Sequence, residues 1–424
     1  MPFAAMPKRY SLLLKLLLPF ALLRLLWKSR RNPAYRHHIG ERLARRLSAP
    51  LPAPLWVHTV SVGEFLAIRP LLAAYLAATP EHTLWMTCTT PTARAQIARF
   101  HADYRERTRL SYLPYDLPTF IARFLTHVRP RAIVLMETEI WPQLIQSASE
   151  KNIPVLLTNA RLSARSLRRY RRYAQPFLAP ILKHFYVNAQ TRDDARRFRH
   201  LGIPATNIRI TPSLKYLPPA PAQAIALPAS HPVILAASTH EGEETVLLEA
   251  LHILHRSHPE ATLLIAPRHP ERREAVVRHI RTAGYTPCLR SKGDTPRSPH
   301  DIYLIDTLGE LPAFFAAADL AFIGGSLIDR GGHNLLEPLH ARIPVLYGPS
   351  TYNFQHIAEQ LRRQPFARQI HDAAGLAQAL ADLWQTDRPA LQHAIAQYLS
   401  PHHTLLDQHL SLLLHLQNGK FFHS

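Results

Sequence analysis

The chain has 424 residues, about the length of two or three domains, and 47% of them are hydrophobic, which is enough for buried cores. Its 14 glycines and 37 prolines form no repeat, which excludes collagen-like and low-complexity chains. Lys and Arg number 50 against 30 Asp and Glu, a net charge of +20 with the histidines neutral. We therefore expect partners that carry negative charge, such as phosphates, acidic lipids or nucleic acid.

The two cysteines, Cys88 and Cys288, lie far apart and form no CxxC or Cys/His group. This spacing supports neither a disulfide framework nor a zinc site. We expect a reducing, cytoplasmic environment.

An apolar stretch runs from Tyr10 to Trp27 and contains only Ser11, Lys15 and Arg24 as polar residues. It is short for a membrane span, and a central charge is costly there. No small-residue cleavage site follows, and positive charge on its carboxyl side opposes export, which disfavours a secretory signal. We predict a retained anchor or a helix in the membrane interface; a buried helix of the first domain is the alternative. The basic residues that follow, and that would meet acidic head groups, are Lys28, Arg30, Arg31, Arg36, Arg42, Arg45 and Arg46.

Short β-rich runs alternate with helical segments along the rest of the chain, as for parallel sheets covered on both faces. The predicted strands are 55–60, 83–87, 132–136, 155–157, 185–187, 233–236, 261–266, 302–305, 320–323 and 344–346; among the predicted helices are 68–78, 243–255 and 271–283. The fold class is α/β, with two similar domains that would form a cleft. The predicted boundaries are an anchor and basic flank at 1–48, a first domain at 49–215, a proline-rich linker at 216–230, a second domain at 231–395 and a helical tail at 396–424.

Because ligands of parallel sheets bind beyond the carboxyl ends of the strands, we examine the residues that follow them. Glu64 lies at a strand-to-helix corner, where it can act as a general base or be an ordinary first-turn glutamate that the helix dipole favours. Glu137 and Glu139 end a buried strand, where one can bind a hydroxyl, pair with a cation or stabilise a transition state, and the other can cap.

Arginines crowd the segment 159–173. If that segment is helical, Arg165, Arg168, Arg169 and Arg172 share one face, which suits phosphate groups on a lipid or a nucleic acid. A solvated basic face with no ligand is the alternative.

In the second half, Ser238 and Thr239 precede a predicted helix start, a natural phosphate site or a simple cap. Arg268 and His269 follow the next strand and supply cationic donors, or only surface charge. Five glycines cluster within residues 324–348, including Gly325 next to Ser326, which indicates backbone freedom or close approach to a ligand. The region lacks P-loop and dinucleotide spacing. Glu337, just after these glycines, can accept both hydroxyls of a ribose, so we expect a nucleotide site.

The motifs HTVSVGE, ETEIWP, STHEGEE, APRHPER, GGS, GGHNLLEP and YGPSTYNF, in this order, resemble those of the 3-deoxy-D-manno-oct-2-ulosonic acid (Kdo) transferases. The resemblance extends to about Leu383. It implies a GT-B glycosyltransferase, with two Rossmann-like domains facing across a cleft. It also implies transfer of Kdo from CMP-Kdo to lipid IVA, the lipid A precursor, in lipopolysaccharide biosynthesis at the cytoplasmic face of the inner membrane, with inversion and no metal or cofactor.

The same resemblance assigns roles to individual residues. It makes Glu64 the proton acceptor, and Glu137 and Lys215 the stabilisers of the transition state. It assigns CMP binding to Arg268, His269, Gly309, Glu310, Leu311, Asn334, Leu335, Leu336 and Glu337. One departure is Pro212-Ser213 before Leu214-Lys215, where the family usually has Gly-Asn; because proline fixes φ, we expect this loop to be shaped differently.

Two other interpretations stay open. Another inverting nucleotide-sugar enzyme, or a nucleotide-sugar epimerase, would keep the fold but leave the apolar amino terminus unexplained. A basic nucleic-acid-binding protein would use the arginines on phosphates, yet no HTH, RRM or zinc-finger pattern is present, so we expect no nucleic-acid partner.

Overall fold

The computed structural model describes residues 8–30, 32–173, 178, 181–182, 185–219, 225–227 and 232–417. The chain divides into two compact units. The first comprises Met1–Leu217 with Thr404–Ser424, and the second Pro218–His403. Parts of the predicted linker (220–224 and 228–230), the first seven residues, Arg31 and the last seven residues lie outside the described residues.

The first unit is a Rossmann-like layer structure around one seven-stranded parallel sheet, whose strands lie in the order β3-β2-β1-β4-β5-β6-β7. The strands are β1 Leu55–His58, β2 Leu84–Cys88, β3 Thr108–Tyr112, β4 Ala132–Met136, β5 Val155–Ala160, β6 Phe185–Ala189 and β7 Ile208–Ile210. The helices before residue 217 are α1 Lys8–Ser29, α2 Ile39–Arg42, α3 Val62–Ala78, α4 Pro91–Asp103, α5 Pro118–Val128, α6 Pro142–Glu150, α7 Ala164–Tyr173 and α8 Arg192–Leu201.

The second unit has the same architecture, with seven parallel strands in the order β10-β11-β9-β8-β12-β13-β14. The strands are β8 Val233–Thr239, β9 Thr262–Pro267, β10 Thr286–Leu289, β11 Asp301–Leu304, β12 Leu320–Ile323, β13 Val345–Tyr347 and β14 Ala367–Gln369. The helices are α9 Glu243–Leu254, α10 Arg273–Thr282, α11 Leu311–Ala317, α12 Glu337–His340, α13 Gln355–Leu361, α14 Ala373–Gln385 and α15 Arg388–Leu399; α16, Leu405–Gln417, returns to the first unit.

Every predicted strand is present, and the predicted α/β class with two Rossmann-like domains is confirmed. The four strands that the sequence did not predict, β3, β7, β10 and β14, are the edge strands of the two sheets. Interior strands are buried on both faces and read as continuous apolar runs, as in Ala132–Met136. Edge strands such as Ile208–Ile210 are partly exposed and lack that signal.

The carboxyl-terminal helix α16 belongs to the first unit; the chain divides after Leu217, which lies within the predicted linker, and after His403. Its buried side chains are Leu405, His409, Leu413 and Leu416, which recur at helical spacing. This face packs on α3 and on the 3-10 turn Leu214–Tyr216. A local sequence pattern cannot show which sheet a terminal amphipathic helix covers.

The amino-terminal helix α1 is present and carries a stretch of 20 residues, Tyr10–Ser29, that is long and apolar enough to cross a membrane. Large apolar side chains on it are exposed to solvent, Leu16 and Phe20 among them at 62% and 67%. The Tyr10 hydroxyl donates to Asp116 of the first unit at 3.0 Å. The alternative of a helix buried in the first domain therefore does not describe α1.

Candidate active site

Glu64 lies in the first turn of α3, directly after β1, and its carboxylate folds back over the start of the helix. One oxygen accepts the Val60 N–H at 2.7 Å and the other accepts the Ser61 hydroxyl at 3.1 Å. Ser61 is the N-cap, and its Oγ accepts the Glu64 N–H at 3.3 Å. These bonds fix the position of the Glu64 carboxylate at the start of the helix, as expected for a glutamate in the first turn. Its surroundings also change the proton affinity of this carboxylate.

Burial raises the pKa of Glu64 to about 7, and the negative charges of Glu137 and Glu139 add to the increase. The hydrogen bonds from Val60 and Ser61 act in the opposite direction. A carboxyl group with this pKa is partly ionised near neutral pH and accepts a proton more readily than an ordinary glutamate. The structure thus brings together Glu64, from the first turn of α3, and the two acids that follow β4.

Glu137 is buried and bound by two cations from later parts of the chain. Its Oε2 lies 2.9 Å from Arg161 Nη2, and its Oε1 lies 3.4 Å from Lys215 Nζ. The backbone of Glu137 has φ of 56°, in the left-handed region that a glutamate rarely adopts. Lys215 therefore lies at the same carboxylate that the sequence placed in the site, although the Pro212-Ser213 departure precedes it.

Glu139 and His58 extend this cluster. Burial raises the pKa of Glu139 to about 7, and Glu137 contributes. His58 is fully buried at the end of β1, where burial lowers its pKa to about 3, so its ring is neutral. Its Nε2 lies 4.0 Å from Glu139 Oε2. From the sequence we expect one functional acid in the Glu137–Glu139 pair. In the structure both acids lie near enough to Glu64 for their charges to raise its pKa.

The arginine-rich segment forms α7, and Arg165, Arg168, Arg169 and Arg172 are exposed on it. Its other side, with Leu167 and Tyr170, packs against the core of the first unit. Burial, with a contribution from the nearby Glu139, raises the pKa of Tyr170. This basic face therefore lies on a helix whose inner side adjoins the carboxylate cluster.

The second unit has its own polar cluster at the carboxyl ends of β8, β9 and β12. Arg268 and His269 are exposed directly after β9. His240 and His333 stack with their ring centroids 5.3 Å apart, and their Nε2 atoms are 3.0 Å apart. Burial lowers the pKa of His333 to about 3, and Arg268, His240 and His269 lower it further. Both histidines lie in the motifs that carry the family resemblance, but the sequence does not predict their pairing, because it joins segments 93 residues apart.

Glu337 begins α12, and its Oε1 accepts the Asn334 side-chain N–H at 3.2 Å. Burial raises its pKa, while Asn334 and Arg268 lower it. Asn334 also accepts the Leu336 N–H, at 3.1 Å. Leu335 and Leu336 are fully buried, so neither residue presents an exposed side chain to a ligand.

Gly309 lies in an open turn with φ of 90°, and nothing stands within 4 Å of the position that a Cβ would take. The next residue, Glu310, pairs with Arg290 at 2.8 Å and accepts the Thr307 hydroxyl. Leu311 begins α11. The turn is thus held from one side by Arg290 and is accessible from the other.

The backbone N–H groups of Gly325 and Ser326, two residues expected near a ligand, are bound within the protein. Glu243 is fully buried and accepts four backbone N–H groups, from His240, Gly325, Ser326 and Leu327, at 2.7–3.1 Å. Its burial raises its pKa, against these hydrogen bonds.

Ser238 and Thr239, the two residues expected at a phosphate site, also make contacts within the protein. The buried Thr239 hydroxyl donates to Glu244 at 2.9 Å. Ser238 has φ of 57°, and its carbonyl would overlap a Cβ at Gly324. Close packing of protein backbone therefore accounts for Gly324, and a ligand is not needed to explain it.

The part of the chain that the structure describes contains no group of three or more His, Cys, Asp or Glu side chains that could hold a metal ion. Each unit has cationic side chains near its central glutamate: Arg268 near Glu337, and Arg161 and Lys215 at Glu137. Such side chains can balance negative charge on a substrate.

Comparison with known proteins gives a consistent family. A profile described as 3-deoxy-D-manno-octulosonic-acid transferase (kdotransferase) matches residues 37–217. A 3-deoxy-D-manno-octulosonic acid transferase from Bordetella pertussis is 38% identical over 85% of this chain and 87% of its own. A relative of the same name from Haemophilus influenzae is 34% identical over 83% of this chain and 84% of its own.

Solved structures agree on the fold. A putative UDP-N-acetylglucosamine 2-epimerase from Listeria monocytogenes aligns over 86% of this chain and 96% of its own, with a TM-score of 0.59 and 14% identity, which shows the fold alone. Together with the identity to curated relatives, this shows that the chain is a glycosyltransferase with two Rossmann-like domains and that it belongs to the Kdo transferase family.

Proposed function

We propose that this enzyme transfers Kdo from CMP-Kdo to a hydroxyl of lipid IVA, with inversion at the anomeric carbon and without a metal. The observation that carries the proposal is the Glu64 carboxyl group, whose pKa is about 7 and which is fixed beside Glu137 and its partner Lys215. A general base needs this proton affinity near neutral pH. The family membership supplies the sugar, and the names of the relatives support it.

In the proposed reaction, Glu64 takes the proton of the acceptor hydroxyl while that oxygen attacks the anomeric carbon of Kdo. The bond from this carbon to the phosphate oxygen breaks, and CMP leaves with the electron pair. Lys215, held by Glu137 at 3.4 Å, supplies positive charge where negative charge develops in the transition state. Attack from the face opposite the leaving group inverts the anomeric carbon.

The second unit would bind the CMP part of the donor. Arg268 and His269 would contact the phosphate, since both are exposed cationic or polar groups at a strand end. Glu337, oriented by Asn334, would accept the ribose hydroxyls. The turn Gly309, Glu310 and Leu311 would cover the nucleotide from the other side.

The first unit would bind the acceptor and the membrane. The exposed Arg165, Arg168, Arg169 and Arg172 suit the phosphates of lipid IVA and of anionic lipids of the inner membrane at its cytoplasmic side. Helix α1 would insert its exposed leucines. The amino-terminal end of α1 is held by the first unit through the bond from Tyr10 to Asp116, which favours a helix lying in the interface over one that spans.

The central experiment incubates the purified enzyme with lipid IVA and freshly generated CMP-Kdo and weighs the lipid product by mass spectrometry. We expect the mass to increase by one or more Kdo units, with Glu64→Gln giving no increase. Turnover of another nucleotide sugar, or epimerisation without transfer, would favour the other nucleotide-sugar interpretation. Tight, salt-sensitive binding of nucleic acid with no transfer would contradict the proposal.

Membrane association is tested by vesicle flotation with anionic lipids. Deleting residues 1–30 should release the protein from the vesicles if α1 is the main anchor. If the shortened protein still floats until Arg165, Arg168, Arg169 and Arg172 are replaced by Gln, the basic face of α7 is the main contact instead.

A further inference from the structure

His409, on the carboxyl-terminal helix α16, lies at the centre of a buried hydrogen-bond group in the first unit. Its Nε2 is 3.3 Å from the Pro212 carbonyl oxygen, and its Nδ1 is 3.2 Å from Asn188 Nδ2. Thr158 Oγ1 lies 3.4 Å from the same Nδ1. The side chain is 1% exposed.

These partners determine the tautomer of the ring. A carbonyl oxygen can only accept, so Nε2 carries the hydrogen and donates to Pro212. Nδ1 is then the acceptor, which matches the amide N–H of Asn188. A neutral ring thereby uses both nitrogens, and burial lowers the pKa of His409 to about 4, in agreement with this neutral form.

The carbonyl that His409 holds belongs to the loop that carries Lys215. Further along this loop, Asn159 Oδ1 accepts the Leu214 N–H at 3.1 Å, and Ser213 Oγ accepts the Lys215 N–H at 3.3 Å. Pro212 has no N–H, so its carbonyl is the group through which its peptide can be held. Helix α16 packs on α3, which carries Glu64, as well as on the turn that contains Lys215.

We propose that His409 is a positioning residue for the transfer reaction: it fixes the Pro212 carbonyl and thereby holds Lys215 against Glu137. This inference rests on the proposed role of Lys215. The carboxyl-terminal segment, residues 404–417, would thus help to position the site although it is distant in sequence from the carboxylate cluster. His409 itself does not contact the reacting groups.

The test compares two substitutions that differ in reach. In His409→Gln the amide nitrogen extends to the place of Nε2 and can still donate to Pro212, whereas in His409→Asn the amide reaches only the place of Nδ1. We expect His409→Gln to keep kcat within about 2-fold and His409→Asn to lower kcat by ~10- to 100-fold. KM for CMP-Kdo should stay unchanged in both, because the donor site lies in the second unit. His415→Gln, exposed on the same helix, is the matched control and should behave as wild type.

A double variant separates positioning from general weakening of the fold. In a Lys215→Ala background, His409→Asn should cause no further loss of kcat, because the group that it positions is already absent. Additive losses, or equal activity of His409→Asn and wild type, would overturn the inference. If His409→Asn does not fold, Asn188→Ala takes its place, since it removes the donor to Nδ1 and should lower kcat in the same Lys215-dependent way.

A readout without activity keeps this inference separate from the proposed function. The rate of amine-reagent labelling at Lys215, followed by mass spectrometry with exposed Lys151 as the reference, should increase in His409→Asn and not in His409→Gln. If the wild-type enzyme fails to transfer Kdo but this pattern holds, the proposed function is wrong and the loop support stands. If labelling is the same in all variants, His409 does not hold Lys215.

Discussion

The Lys215 ammonium nitrogen lies 3.4 Å from the Glu137 carboxylate, although the two residues come from loops after β7 and β4. Arg161 binds the other oxygen of the same carboxylate at 2.9 Å. This buried acid therefore has cations on both sides, which offsets the cost of its burial. Burial raises the pKa of both neighbouring glutamates, Glu64 and Glu139.

Glu64→Gln should abolish transfer while donor binding persists. Gln can still accept the Val60 N–H but cannot take a proton, so we expect kcat to fall by ~10²- to 10⁴-fold. Product formation is followed by mass spectrometry and CMP binding by calorimetry. Glu81→Gln, at an exposed position of the same unit, should leave both unchanged. A near-normal rate in Glu64→Gln would remove the base assignment.

The pH dependence of transfer follows from the raised pKa of Glu64. The base must be ionised, so kcat/KM should rise with pH up to about 7 and then level off. Because the charge of Glu139 contributes to this pKa, Glu139→Gln should shift the rising limb to lower pH. An acid limb near pH 4.5 in the wild-type enzyme would contradict this environment for Glu64.

Glu64→Gln should also stabilise the protein at alkaline pH. The native pKa of about 7 lies above the ordinary value of 4.5, so the native state holds this proton more tightly than the unfolded state. Stability from this group is full below pH 4.5 and is lost as pH rises through 7. At pH 8 we expect the free energy of unfolding of the variant to exceed that of wild type by ~1–3 kcal/mol, measured with urea. At pH 4 the difference should vanish; a variant that is less stable at pH 8 would argue against the pKa shift.

Glu337→Ala should weaken CMP binding through loss of the ribose contact, by ~10-fold or more, which calorimetry measures directly. Glu249→Ala, exposed on α9 in the same unit, is the control and should bind CMP normally. Unchanged affinity in Glu337→Ala would show that the partly exposed carboxylate faces something other than the nucleotide.

Glu243→Gln should destabilise the second unit. The carboxylate accepts four backbone N–H groups in full burial, and an amide nitrogen at one of its two positions would face donors. We expect a loss of ~2–4 kcal/mol in the free energy of unfolding. Glu241→Gln, two residues earlier and exposed, should have no effect. Equal stability of the two variants would mean that the glycine loop does not depend on Glu243.

Interior strands and the residues that end them could be predicted from sequence, because burial on both faces requires continuous apolar runs. Glu64 and Glu137 are predicted as candidate site residues in this way, Glu337 is predicted from the glycine cluster before it, and the family resemblance adds Lys215. The sequence could not show that Gly325 and Ser326 donate to Glu243, since that contact joins segments 82 and 83 residues apart. It also gave no signal for the His240–His333 pair.

The sequence by itself determined two parallel α/β units, an apolar amino-terminal helix and the family, because apolar periodicity and ordered motifs are local properties of the chain. Only the tertiary structure decided which distant segments come into contact. It places Arg161 and Lys215 at Glu137, Glu243 at the backbone of the glycine loop, and α16 on the Lys215 loop. Those contacts depend on strand order and helix return, which bring distant segments together and which no local pattern encodes.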